Sequence, residues 1–180
     1  MVSTNSKLLA PKRGTTGGPA PLRFGDVEVL RLVESEFPIL DPFEIYPDAT
    51  PAAIAAELPW LAPRFYDTTS KRLILAFQGF LLRANGKIIL VDTCVGDCKR
   101  RVRADFDNQR WEWPARLAET GVRPEDIDYV VCSHMHVDHV GWNTRLENGR
   151  WIPMFPNARY LFARAEWEYW NGSGVATLSR

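Results

Sequence analysis

Residues 134 to 139 read His134-Met135-His136-Val137-Asp138-His139, and all three histidines of the 180-residue chain lie within these six positions. Imidazole nitrogens and a carboxylate form the donor set that suits zinc, and also iron or manganese where carboxylate and water complete the shell. Cations held this way lower the pKa of water and polarise a carbonyl or phosphoryl group, so the chemistry this hexapeptide can support is hydrolysis. It follows the apolar run Ile127-Asp128-Tyr129-Val130-Val131-Cys132. If that strand continues extended, His134, His136 and Asp138 project to one side, because side chains alternate along a strand. His139 then needs a turn to reach the same pocket, and Gly141 relieves crowding close to the metals.

The elements that must carry the hexapeptide are legible in the hydropathy pattern. Val27 to Val33 alternates as a half-buried first strand does. Six prolines between Pro38 and Pro63 restrict that stretch to loops and one short helix over Ala52 to Leu58. Arg72 to Leu82 and Lys87 to Val91 flank Asn85-Gly86, a strong hairpin signal because both residues tolerate positive φ. The near-continuous hydrophobicity of this pair predicts strands covered on both faces. A helix is expected from Trp111 to Thr120, with Trp113 and Leu117 on one face and Gly121 as its stop. Beyond the hexapeptide, Asn148-Gly149 marks a turn, Ala158 to Phe162 a strand and Ala165 to Trp170 the start of a helix. Trp142, three residues past the hexapeptide, is a candidate wall of a substrate pocket. Trp111, Trp113, Trp167 and Trp170 are expected to pack on the sheet.

His-x-His-x-Asp-His after a hydrophobic strand resembles the signature of the metallo-β-lactamase-fold hydrolases. Phe80 to Thr93 is similar to that family's early hairpin, whose second strand ends in an Asp supporting the metal ligands from behind, and Asp92 stands at that place. Asp128 to Asn143 and Phe155 to Tyr160 look most like the branch of quorum-quenching lactonases and organophosphate hydrolases. The resemblance implies an α/β (α+β) fold, the N-terminal portion of a four-layer αββα sandwich. It also implies a binuclear centre, two zinc ions in a complete site with iron or manganese as alternatives, held in part by His134, His136, Asp138 and His139. Asp138 would orient a metal-bound hydroxide attacking an ester, lactone or phosphotriester, then help protonate the leaving group. The family's further His and Asp ligands have no counterpart here, since no histidine follows His139. Family members continue for roughly another hundred residues, about half a two-layer domain. The expectation is therefore a disordered extension over residues 1–25, the first part of such a domain over 26–180, and weak metal binding and little or no activity for this chain alone. Asp105, Asp107 and Glu166 could add donors, but nothing in their spacing recommends them.

Acidic and basic residues are equal in number, 22 each, so no charge imbalance points to nucleic acid. Lys99-Arg100-Arg101-Val102-Arg103 is flanked by Asp97, Asp105 and Asp107 and reads as a solvated turn. No apolar stretch reaches membrane-spanning length, so the chain is expected to be soluble and, by default, cytoplasmic, while the resemblance implies a small-molecule substrate as its partner. The oligomeric state stays open. Cys94, Cys98 and Cys132 form an odd set and are expected as buried or half-buried reduced thiols. Three other readings keep the hexapeptide and change its use: a mononuclear iron persulfide dioxygenase of the same fold, a non-catalytic fragment, and a structural zinc site of Cys132 with the three histidines.

Overall fold

The protein is described by a computed structural model covering residues 20–172. In chain order its elements are strands β1 (Leu22–Phe24) and β2 (Val27–Leu40), helices α1 (Pro42–Ile45) and α2 (Pro51–Leu61), strands β3 (Tyr66–Asp67), β4 (Arg72–Ala84) and β5 (Lys87–Val91), helix α3 (Trp113–Glu119), strands β6 (Tyr129–Val131), β7 (Thr144–Glu147), β8 (Arg150–Pro153) and β9 (Arg159–Leu161), and helix α4 (Arg164–Asn171). They fall into two compact units. Among the described residues, the smaller holds 35–76 and the larger 20–34 and 77–172.

In the smaller unit, the proline-rich stretch yields the expected helix, α2, one residue earlier and three residues later than its pattern indicated. Thr50 caps it, its hydroxyl accepting the Ala53 N–H at 3.1 Å, and Pro51 occupies the first turn, where a missing N–H costs nothing. Strand β3 pairs antiparallel with the start of β4, Tyr66 opposite Leu73. Among the described residues no helix is long and apolar enough to cross a membrane.

The larger unit is built on a mixed sheet in the order β1-β2-β4-β5-β6-β9. Asn85 (φ 50°) and Gly86 (φ 70°) turn β4 into β5 as expected, pairing Ala84 with Lys87 through Phe80 with Val91. From β5 the sheet becomes parallel, Leu90 beside Val130 and Val130 beside Tyr160. Parallel neighbours need a crossover, supplied between β5 and β6 by the segment carrying α3. Trp113 and Leu117 of α3, fully buried, join Leu81, Leu90, Val130 and Phe155 in the core.

Two expectations are corrected. Residues 22–24, placed in the disordered extension, form β1 and pair with Val27 to Val29 of β2, so the ordered chain starts earlier; residues 1–19 lie outside the described ones. In β4 only one face is fully covered: Phe77, Gly79 and Leu81 are buried, whereas Gln78, Phe80 and Leu82 are half-buried. A hydrophobic run reports what a strand can bury, not which surface of this chain covers it.

A buried carboxylate ties the sheet to the loop that follows β5. Glu34, 4% exposed, accepts the Val95 N–H at 2.9 Å, the Gly96 N–H at 3.0 Å and the Trp142 indole N–H at 2.7 Å. Burial lifts its pKa to about 7, outweighing the three donors that pull it down. At the same place two backbones touch: a Cβ on Gly141 would sit 2.0 Å from the Val95 carbonyl carbon and oxygen, and one on Gly96 would sit 2.6 Å from the Gly141 carbonyl carbon. No side chain fits between them.

Gly141→Ala must therefore push the two segments apart, and urea unfolding is expected to show a loss of about 1–3 kcal/mol, the usual cost of overpacking; an unchanged midpoint would contradict this packing. The Glu34 carboxyl is easier to keep protonated in the folded chain than in the unfolded one. Its contribution is therefore greatest below pH 4.5 and is lost as pH rises through about 7. The difference between wild-type and Glu34→Gln stability profiles should fall across that window by an amount on the order of 3 kcal/mol, from about 1.4 kcal/mol per pKa unit. A flat difference would contradict the assignment.

Candidate metal centre

The apolar run forms β6, which stops at Val131, with the Cys132 N–H still donating to the Leu161 carbonyl at 3.0 Å. The hexapeptide does not extend the strand, as the alternation argument required. It coils into a loop with a turn over 137–139, closed by His139 N–H to the His136 carbonyl at 3.0 Å. The cause is the chain beside it. The Thr93 N–H donates to the His139 carbonyl at 2.8 Å, the Gly141 N–H to the Cys94 carbonyl at 2.7 Å and the Trp142 N–H to the Thr93 carbonyl at 2.8 Å. These bonds pull residues 139–142 against the end of β5.

Asp92 follows β5 in the left-handed region, φ 59°, and this conformation accompanies a carboxylate bonded to the hexapeptide loop. Its Oδ1 accepts the Ser133 N–H at 2.8 Å. Its Oδ2 accepts the Ser133 hydroxyl at 2.7 Å and His139 Nδ1 at 2.9 Å. Burial raises the Asp92 carboxyl, but the bonds from His139 and Ser133 outweigh it and hold the group below the ordinary carboxylate range. With Nδ1 committed to Asp92, Nε2 of His139 lies 3.4 Å from Asp138 Oδ2. Asp138, then Asp92, raise His139 to about 9. Asp138 is in turn lowered: burial pushes it up and the pairing with His139 outweighs that.

All three imidazoles gather on this loop. The His134 ring centroid is 3.9 Å from that of His139 and 4.5 Å from that of His136. The Asp138–His139 separation of 3.4 Å matches two donors on one tetrahedral zinc, roughly 3.3 Å apart for bonds of about 2.0 Å. Chemistry and spacing of that pair fit a cation. Among the described residues, no three His, Cys, Asp or Glu side chains converge closely enough as they stand to enclose one.

Helix α4 adds contacts that sequence reasoning missed. Glu166 accepts the Met135 N–H at 2.9 Å and the Trp170 indole N–H at 3.1 Å. Trp170 stands edge-on to His136, ring centroids 5.8 Å apart, instead of packing on the sheet as expected. The available signal was the Glu166/Trp170 pair at i, i+4, which shares a helix face. Trp167 is 53% exposed, also against expectation. Trp142, the expected pocket wall, is 4% exposed, stacks on Trp113 at 5.7 Å and donates to Glu34, so it sits in the core. The other nominated carboxylates are occupied elsewhere, Asp105 with Arg103 at 2.9 Å and Asp107 with the Arg101 N–H at 2.7 Å. Cys94, Cys98 and Cys132 are free thiols. Burial raises Cys132, whose sulfur accepts from Asn143 Nδ2 at 3.4 Å, an engagement that disfavours a structural zinc site built on it.

Comparison with known proteins places this loop in context. Residues 79–176 match the family model described as the metallo-beta-lactamase superfamily. The chain is 40% identical over 55 residues to the N-acyl homoserine lactonase AttM of Azorhizobium caulinodans, covering 31% of this chain and 18% of that protein. It is 28% identical over 120 residues to the N-acyl homoserine lactonase AiiB of Agrobacterium fabrum, covering 57% of this chain and 41% of the relative. Among solved structures, the hydrolase AbOPH of the beta lactamase superfamily aligns with TM-score 0.68 and 21% identity over 91% of this chain and 50% of its own. The dizinc quorum-quenching lactonase AidC, solved with the product N-hexnoyl-L-homoserine, aligns with TM-score 0.66 and 22% identity over 85% and 47%. The chain thus spans about half the length of these folds and less of the curated relatives it matches.

Glu166→Ala should free the Met135 amide, and hydrogen exchange at that amide is expected to accelerate while the amides of β5 and β6 keep their protection. Unchanged protection of Met135 would show that another group holds the loop.

Proposed function

The chain belongs to the metallo-beta-lactamase superfamily, and on that premise we propose that it serves a metal-dependent hydrolase that opens lactones and related esters, with phosphotriesters the second substrate class. The observation that carries this reading is the Asp138–His139 pair, two donors 3.4 Å apart with the far nitrogen of the imidazole fixed by Asp92. His139 and Asp138 would hold one cation and His134 and His136 the other, zinc being the metal this donor set suits best and iron or manganese the alternatives. When bound, such cations supply a water that loses its proton near neutral pH and polarise the carbonyl or phosphoryl oxygen under attack.

The chain's own residues do the rest. Asp92 keeps one proton of His139 on Nδ1, so the Nε2 proton, which faces Asp138, is the one a bound cation would displace to make the ligand bond. Asp138, held below the usual carboxylate range, is ionised at neutral pH, so it can take a proton from the attacking water and pass that same proton to the departing alkoxide, ending ionised again. Glu166 and Trp170 steady Met135 and His136. The names of AttM, AiiB and AidC support a lactone as the substrate class, a small molecule as the partner. Free thiols suit a reducing, cytoplasmic setting. With only one donor pair fixed among the described residues, the chain alone is proposed to bind metal weakly and turn over slowly.

Calorimetric titration with zinc, paired with hydrolysis of an N-acyl homoserine lactone, a phosphotriester and a β-lactam, tests the proposal. Asp138→Asn and His136→Ala are each expected to weaken zinc binding by about tenfold or more and to abolish whatever lactone opening the wild type shows. Hydrolysis that survives a chelator, or zinc uptake indifferent to both substitutions, would defeat it.

A further inference from the structure

Ser133 stands immediately before the histidine cluster and is absorbed by neither the ligand set nor the core. Its hydroxyl lies 2.7 Å from Asp92 Oδ2 and 3.1 Å from His134 Nδ1. A serine hydroxyl carries one proton. Asp92 accepts the Ser133 N–H on Oδ1 and faces the Ser133 hydroxyl and His139 Nδ1 on Oδ2, the acceptor-only arrangement of a carboxylate, so the 2.7 Å contact takes the Ser133 proton. The 3.1 Å contact then requires His134 to be the donor, its proton on Nδ1; the opposite tautomer would set two lone pairs against each other. His139 Nδ1 also gives its proton to Oδ2, at 2.9 Å, and the Ser133 N–H occupies Oδ1.

We propose that Ser133 is a positioning residue that relays the Asp92 carboxylate to His134, so that one buried acid fixes the tautomers of two histidines, His139 directly and His134 through a hydroxyl. His134 then presents Nε2 as a free lone pair, and His139 does so once a cation displaces the proton that its Nε2 directs at Asp138. The inference rests on the proposed use of these histidines as metal ligands. Outer partners that hold a ligating imidazole in one tautomer commonly carry about ten- to hundredfold in metal affinity. A serine retained only to end the strand would need its backbone N–H and not its hydroxyl, which separates the two roles.

Two measurements on the whole chain decide it. In metal-free, 15N-histidine-labelled protein, long-range proton–nitrogen correlation should find neutral His134 protonated at Nδ1 in the wild type and shifted toward the Nε2 form in Ser133→Ala. Cobalt(II) titration, read by its visible absorption, should show affinity about tenfold or more weaker in Ser133→Ala. Ser133→Thr, which keeps the hydroxyl, should restore both. Wild-type His134 protonated at Nε2 overturns the relay, as does Ser133→Ala with unaltered tautomer and affinity. Because the wild-type tautomer is read without metal, it judges the relay even if a variant misfolds. A wild type with the expected tautomer and no cobalt binding would defeat the metal reading while leaving the relay standing.

Discussion

Asp92 accepts three hydrogen bonds at the end of β5: two from Ser133, one from His139. The left-handed backbone it needs costs about 1–2 kcal/mol for a residue with a Cβ. Hydrogen bonds to a charged group return about 1.5–3 kcal/mol each, so three of them outweigh that cost. The same bonds set the rotation of the His139 ring, and that rotation sets Nε2 against Asp138. Remove the carboxylate and the loop loses both its anchor and the orientation of the donor pair.

The loop is held from two further directions by parts of the larger unit. Glu34 gathers Val95, Gly96 and Trp142 around one buried carboxylate, at the point where the backbones of residues 95–96 and 141 touch. Since Thr93 and Trp142 are bonded across the same crossing, Glu34 bears on His139 through the backbone, without touching it. Glu166 secures the opposite end at Met135. A short irregular segment between two strands thus acquires a fixed shape from polar contacts at both ends, which is how functional loops are commonly placed on rigid scaffolds.

Much of this was readable from the residues. The hairpin at Asn85-Gly86, the helix carrying Trp113 and Leu117 and the strand leading to Cys132 follow from turn chemistry and periodicity, and the histidine cluster announced itself by concentration alone. What could not be read was tertiary. The alternation rule assumed β6 would run on through the hexapeptide; backbone bonds from Thr93 and Cys94, some 45 residues earlier in the chain, bend it instead. Trp142 looked like a pocket wall from its place in sequence, and only the position of Glu34, 108 residues away, shows why it turns inward. Glu34 and Ser133 carry no motif; their importance comes from neighbours that the linear pattern does not name.

Anomalous diffraction from crystals soaked in zinc tests the central claim, that Asp92 sets His139 so that its Nε2 and the Asp138 carboxylate address one cation. The account predicts a zinc peak within bonding distance of both groups, with the Asp92–His139 Nδ1 hydrogen bond intact. A peak bound to Nδ1 of His139, or to the sulfur of Cys132, would contradict it.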